Sequence, residues 1–214
     1  MKIKAITAAA IGAIIGIAGG WGLYAWWSEP PTADELNQRV EATVLPVDYA
    51  RIPDVTLKTA SGDFSRADLG ERWTFLFFGF THCPDVCPTT LQRLSIGVDE
   101  IRAKSETDPS VLFVSVDYRR DTPRSASSYA NAFGPGFIGA TAGEPVLRRL
   151  AKSVNVTFSL PDEPDSTDYS VQHSSAVFLL DSLGRVRALF GAPQDPEAVA
   201  RDFLLLREAL AQTS

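Results

Sequence analysis

Cys83 and Cys87 are the only cysteines in the chain, and both stand in the segment THCPDVCPTT, directly after the apolar and aromatic run Trp73 to Phe80. That pairing limits what the chain can fold into. A continuous apolar run of this length suits a strand buried on both faces. The prolines, Asp85 and the threonines that follow read as a polar turn entering a helix, with Pro88 suited to its first position. An i, i+4 pair on such a turn puts both sulfurs on one side, where they can close a disulfide or grip one soft metal ion. Free cysteines are often inert core residues, but a proline-bounded polar turn is a poor place for core packing. The exposed amides and positive dipole end of the helix start are expected to favour thiolate, the form that acts as nucleophile and as metal ligand.

The pattern downstream alternates strands and helices. Asp54 to Lys58 and the turn at Gly62 read as a short hairpin, and Pro88 to Lys104 as a helix with Leu91, Leu94, Val98 and Ile101 on one face. Val111 to Val116 reads as a second buried strand, Ser125 to Phe133 and Glu144 to Val154 as helices, and Gly134 to Gly139 as a glycine-rich turn between them. Ala176 to Leu180 and Val186 to Phe190 form a hairpin across SLGR, and Pro196 to Ala211 closes as a helix. This order predicts an α/β domain of three layers around a central mixed sheet. A cysteine pair just after the first long strand makes it thioredoxin-like.

The N-terminus is of a different kind. Lys2 and Lys4 precede an uncharged apolar stretch, Ala5 to Trp27, of roughly 23 residues, long enough to cross a bilayer as one helix. It closes on Tyr24, Trp26 and Trp27, residues suited to the membrane interface, rather than on a small-residue cleavage site. Residues 1–27 are therefore expected to be a single uncleaved transmembrane anchor. By the positive-inside rule its lysines stay cytoplasmic and the body lies outside, in the periplasm of a bacterium bounded by its inner membrane. Residues 28–52, with Pro30, Pro31 and Pro46 among scattered charges, read as a tether with one short helical turn, and 53–214 as the domain. The formal net charge of −6 includes those two lysines, so the body is more acidic still, which argues against nucleic-acid binding.

Three motifs in order, THCPDVCP, then SVDYRRDTP from Ser115 to Pro123, then DYSVQHSSAVFLLDSLG from Asp168 to Gly184, resemble the Sco/SenC copper proteins that assemble cytochrome c oxidase. The likeness runs from about Pro53 to the C-terminus. It departs at Tyr118, where the family usually has proline, at Gln172, where an acid is common, and at Phe178, where tyrosine is frequent. The resemblance implies a thioredoxin-like fold with copper, as Cu(I) or Cu(II), held by Cys83, Cys87 and His173, and delivery of that copper to the binuclear site of oxidase subunit II. A periplasmic chaperone that donates the copper is a further expected partner.

Thiolates select Cu(I) and imidazole supports Cu(II), so the implied trio is chemically consistent. Structural zinc normally takes four protein ligands, and His82, the other histidine, is the remaining fourth candidate, although its side chain should diverge from the adjacent Cys83. Around the trio, Asp85 is a candidate for tuning the thiols or facing a partner, its plainer reading being a solvated turn acid. Asp117 and Arg120 lie in a charged run read either as a turn before a helix capped by Asp121 or Thr122, or as groups orienting the metal loop. Asp168 and Tyr169 are candidates for positioning the His173 loop, and Asp162, Glu163 and Asp165 read as an acidic loop segment. Two functions share these cysteines: a metallochaperone without substrate turnover, and a membrane-tethered thiol-disulfide oxidoreductase acting on the cysteines of the oxidase site. The CxxxC spacing in place of CxxC, and the absence of a proline between Pro164 and Pro193, favour the first.

Overall fold

The computed structural model describes residues 31–162 and 169–210. Its centre is a six-stranded mixed sheet in the order β1-β8-β7-β4-β5-β6, formed by β1 (Thr43–Val44), β4 (Thr74–Gly79), β5 (Ser110–Ser115), β6 (Phe137–Ala140), β7 (Val177–Leu180) and β8 (Val186–Phe190). β4, β5 and β6 run parallel, while β7 is antiparallel to β4, and β8 to β7. Every residue of β4 and β5 is buried, which is why those segments read as unbroken apolar runs instead of alternating ones.

Because β4 pairs in parallel with β5, a helix must carry the chain back between them. That helix is α2 (Val86–Lys104), packed through Leu91, Leu94, Val98 and Ile101. Beside it lie α3 (Pro123–Asn131) and α5 (Pro196–Leu210), over the face carrying Phe75, Phe77 and Phe113. The hairpin of β2 (Leu57–Thr59) and β3 (Gly62–Phe64) and the helix α4 (Glu144–Ser153) close the opposite face, where Leu57, Phe64 and Leu150 meet Leu76 and Leu112. The three-layer thioredoxin-like arrangement read from the sequence is thus present.

Two expectations need correction. Within 28–52 the short helical turn is present as α1 (Ala33–Asn37), closed by a Thr32–Glu35 capping box, but the described residues are built into the domain and do not form a tether, since β1 pairs with β8. Leu36 and Val44 are buried, and the buried carboxylate of Asp202 accepts the backbone N–H groups of Glu41 and Ala42 at 2.7 and 2.9 Å. Few apolar residues suffice there because a charged side chain of α5 satisfies the chain's amides. The glycine-rich turn expected around Gly134 to Gly139 is confined to 134–136, and the strand β6 begins at Phe137. Gly139 pairs with Phe113 in the sheet, and a Cβ there would stand 1.9 Å from the Ala126 carbonyl oxygen of α3, so this glycine marks a close backbone approach and not a turn.

No helix among the described residues is long and apolar enough to cross a membrane. The anchor expected over 1–27 lies outside the described residues, as do Glu163, Asp165 and Asp168.

Candidate metal centre

The site forms where β4 ends and α2 begins. Cys83 lies in the turn and is partly exposed, whereas Cys87 is one residue inside α2 and fully buried. The Cys87 N–H donates to the Cys83 sulfur at 3.3 Å, so that sulfur takes up one of the free amides of the helix start. Gly79, the last residue of β4, makes room for the other: a Cβ there would lie 2.6 Å from Cys87 Sγ.

His173 reaches the cysteines from the loop before β7. Its Nε2 is 3.5 Å from Cys87 Sγ. Its Nδ1 lies 2.9 Å from the Ser174 carbonyl oxygen, which requires the proton on Nδ1 and leaves the Nε2 lone pair facing the sulfurs. Phe77 and Phe80 hold the ring edge-on at 6.0 and 5.7 Å. The loop is fixed on one side by paired backbone bonds between Gln172 and Ser159, both 2.9 Å, and on the other by the buried Gln194 amide donating to the Ser175 carbonyl at 2.9 Å.

Burial shapes the electrostatics. It pushes the Cys87 thiol well above the usual thiol range, against a lowering contribution from the Phe80 amide, and nearby Cys83 and Asp121 push the same way as burial. Thiolate at the helix start is therefore not what Cys87 favours in the metal-free protein: loss of solvent outweighs the helix field. Burial also lowers the His173 pKa, favouring the neutral imidazole that can donate a lone pair.

One sulfur from each cysteine and one nitrogen of His173 all lie within 4.8 Å of one another, and no other histidine, cysteine or carboxylate joins them among the described residues. Three ligands bonded at about 2.0–2.3 Å around one ion would sit roughly 3.5–4 Å apart, so only a small contraction is needed to bind it. Two sulfurs and one imidazole select a soft or borderline ion. His82 points elsewhere, its Nδ1 3.0 Å from Thr81 Oγ1 and 3.5 Å from Asp121 Oδ1. Asp85 is the exposed N-cap position of α2 and makes no capping bond.

Asp117, Arg120 and Tyr169 assemble behind the histidine. The fully buried Asp117 accepts from Arg120 Nε at 2.5 Å and from the Tyr169 hydroxyl at 2.7 Å. The Arg120 guanidinium stacks 3.5 Å over the Tyr169 ring and 5.7 Å from Phe80, the ring that also touches His173. Thr122 caps α3, with Pro123 following.

Asp121, read from sequence only as a possible cap, has another role. Buried, it accepts from Thr81 N at 2.8 Å and from the hydroxyls of Thr81 and Ser115 at 2.5 Å each, tying the start of the cysteine loop to the end of β5. Neither the Asp121–Thr81 tie nor the Gln194 anchor to Ser175 has a local sequence signal, since these partners lie 40 and 19 residues away. Gly79 did have one: a glycine ending a buried strand implies close approach.

Residues 53–206 match the family model SCO1/SenC. A putative copper-binding protein of Stutzerimonas stutzeri is 34% identical over 167 residues, 78% of this chain and 81% of that protein. Protein SCO1 homolog 1, mitochondrial, of Arabidopsis thaliana is 36% identical over 128 residues, 60% of this chain, and this chain spans only 38% of its length. The crystal structure of Arabidopsis thaliana ScoI with copper bound superposes with a TM-score of 0.68 at 30% identity, covering 76% of this chain and 99% of that one. Bradyrhizobium japonicum ScoI with copper bound gives 0.64 at 29% identity, covering 75% and 100%. A motif order, a fold and a sulfur-nitrogen cluster that all agree with this match establish that the chain belongs to the SCO1/SenC family.

Proposed function

We propose that this protein is a membrane-anchored copper chaperone of cytochrome c oxidase assembly, which holds copper between Cys83, Cys87 and His173 and passes it to the binuclear copper site of subunit II. The observation that carries this reading is the convergence of two sulfurs and one imidazole nitrogen on a space smaller than 4.8 Å across. The copper-bound Arabidopsis and Bradyrhizobium relatives support copper as the cargo.

The geometry suits transfer. Cys87 is buried and Cys83 half-exposed, so an incoming acceptor thiolate meets the copper on the Cys83 side. It displaces that sulfur first, while Cys87 and His173 still hold the ion. Cu(I) is satisfied by two or three soft ligands, so each exchange passes through an acceptable coordination number. Delivery of copper to the protein by a periplasmic donor follows the same path in reverse. The apolar stretch Ala5 to Trp27 supports an inner-membrane anchor with the body in the periplasm; recovery of a shortened, freely soluble protein from the periplasm would overturn that part.

The test is metal analysis of the reduced protein beside its ligand variants. One copper per chain is expected, with thiolate-to-copper charge-transfer absorption in the Cu(II) form, and either cysteine changed to serine should abolish tight binding of both oxidation states. If His173→Ala leaves copper binding and oxidase assembly intact while disulfide reduction depends on the cysteines, the thiol-disulfide oxidoreductase reading replaces this one.

A further inference from the structure

The segment from Val154 to Leu160 leads from the end of α4 towards the histidine loop, and its burial alternates. Val154, Val156, Phe158 and Leu160 are buried, while Asn155, Thr157 and Ser159 are exposed. A period of two is the pattern of a strand with one wet face. The ladder it enters is a single rung: Ser159 exchanges two 2.9 Å backbone bonds with Gln172. In an extended chain the backbone groups two residues back point the same way. Thr157 therefore turns its N–H and C=O towards the side of Gln172 and His173, and among the described residues neither group has a hydrogen-bond partner. Open space lies there, a hollow of about 430 Å³ bounded by residues 155–159 and by Gln172, His173 and Ser174.

The same segment borders a second hollow, of about 400 Å³, which reaches Arg148 and Lys152 at the end of α4. Charge there runs against that of the whole chain, which is −6. Arg148, Arg149 and Lys152 are all exposed, Glu144 is engaged by Arg148 at 2.6 Å, and Lys152 makes no ion pair among the described residues. Asn155 Nδ2 donates to the hydroxyl of the exposed Tyr49 at 3.0 Å, which adds an aromatic surface of the kind enriched at interfaces. One border thus runs from cations to a copper ligand, with an open backbone edge between them. Such an edge is a template for a further strand. An anionic lipid surface would use the cations and leave the edge unpaired; a peptide chain uses both.

We propose that this border is the docking site for an extended, acidic segment of the protein that exchanges copper with this one. The backbone of that segment adds as a strand at Thr157, and its carboxylates meet Lys152 and Arg148. Main-chain pairing sets its direction, and charge steers its approach. A segment seated there lies against His173, so docking brings the partner's own metal ligands to the copper. This inference rests on the copper reading above.

The test uses the full-length, copper-loaded protein, with the soluble copper-binding domain of oxidase subunit II as probe. Thr157→Trp fills the first hollow from an exposed position, and Lys152→Glu reverses the free cation. Neither residue is a ligand, so both variants should still load one copper per chain. Thr157→Trp should weaken the complex about tenfold and Lys152→Glu about fivefold, the second also reducing the dependence of affinity on ionic strength. In the parent complex, amide exchange over residues 155–160 should slow by roughly tenfold or more. Variants that bind the domain as tightly as the parent, or an edge whose exchange does not slow, would overturn the docking site. So would an unchanged complex together with loss of self-association in Thr157→Trp, or with loss of binding to anionic phospholipid vesicles in Lys152→Glu; the occupant would then be a second copy or a membrane. A copper-loaded parent that neither binds nor metallates the domain would overturn delivery to subunit II and this inference with it, a failure told apart from the others because it strikes the parent and not the variants.

Discussion

Cys87 Sγ and His173 Nε2 stand 3.5 Å apart although 86 residues separate them in the chain. That contact is made by the sheet: antiparallel pairing of β7 with β4 brings the loop before β7 to the end of β4, where the cysteine turn begins. His173→Ala removes the nitrogen and leaves two sulfurs. Two thiolates still satisfy Cu(I), whereas Cu(II) seeks nitrogen ligation. The variant should therefore lose Cu(II) affinity by at least tenfold more than Cu(I) affinity, read by parallel chelator competitions. Equal losses for both ions would mean that His173 is not a ligand.

Acid should weaken loading, and the sign follows from Cys87. Burial raises its pKa, so near neutral pH it carries a proton that copper must displace. The apparent Cu(I) affinity should rise about tenfold per pH unit for each proton released between roughly pH 6 and 8. Burial lowers the His173 pKa, so its imidazole competes with the ion for a proton less than an exposed histidine would. In the metal-free protein the same thiol acts oppositely on stability. Below pH of about 9, the ordinary thiol value, folded and unfolded chains both keep the proton; above it the unfolded chain loses the proton first, so Tm should fall as pH rises further. Cu(I) affinity that is flat with pH would rule out a protonated Cys87.

Gly79→Ala should damage fold and site together. The added methyl would meet Cys87 Sγ at 2.6 Å and Phe113 at 2.8 Å, and overpacking of this kind costs about 1–3 kcal/mol. For a chain of this size that is roughly 2–12 °C in Tm. Copper affinity should drop as well, since the sulfur is what must move. Full copper affinity with a lowered Tm would show that the strain is absorbed by Phe113.

The readable part of this molecule was the part that is local in sequence. Cys83 and Cys87 share one turn, and β4 and β5 are buried on both faces, so their spacing and composition were enough. His173 had no comparable local signal and was placed by its motif. Asp121 and Gln194 act across the sheet or between helices, and nothing beside them in the chain distinguishes a buried acceptor or anchor from a capping residue. The segment before Pro53 misled for a related reason: Asp202 of α5 satisfies amides of Glu41 and Ala42 that the segment cannot pair by itself.

Mild oxidation should close Cys83 and Cys87 into a disulfide, because their sulfurs already lie within 4.8 Å and the polar turn can contract. Neither sulfur is then a thiolate, so the oxidised protein should lose copper binding and regain it with a thiol reductant. Thiol titration run beside metal analysis checks this; oxidised protein that holds Cu(I) as tightly as reduced protein would contradict it.

The cluster behind His173 gives the last prediction. Tyr169 bonds the buried Asp117 through its hydroxyl and lies under the Arg120 guanidinium, which in turn faces Phe80, and Phe80 holds the His173 ring. Each contact is a packing or charge contact, so Tyr169 acts on copper only through the position of His173. Tyr169→Phe keeps the stack and loses one hydrogen bond to a buried carboxylate, a cost of about 1–3 kcal/mol that should appear in Tm with little change in copper affinity. Tyr169→Ala removes the stack and frees the histidine loop, and Cu(II) affinity should fall severalfold while Cu(I) affinity changes less. In a His173→Ala background the same Tyr169→Ala change should have no further effect on Cu(II), because the group it positions is gone. That non-additivity is the decisive readout. Additive losses in the double variant would mean that Tyr169 supports the cysteines, and the histidine-positioning role would be wrong.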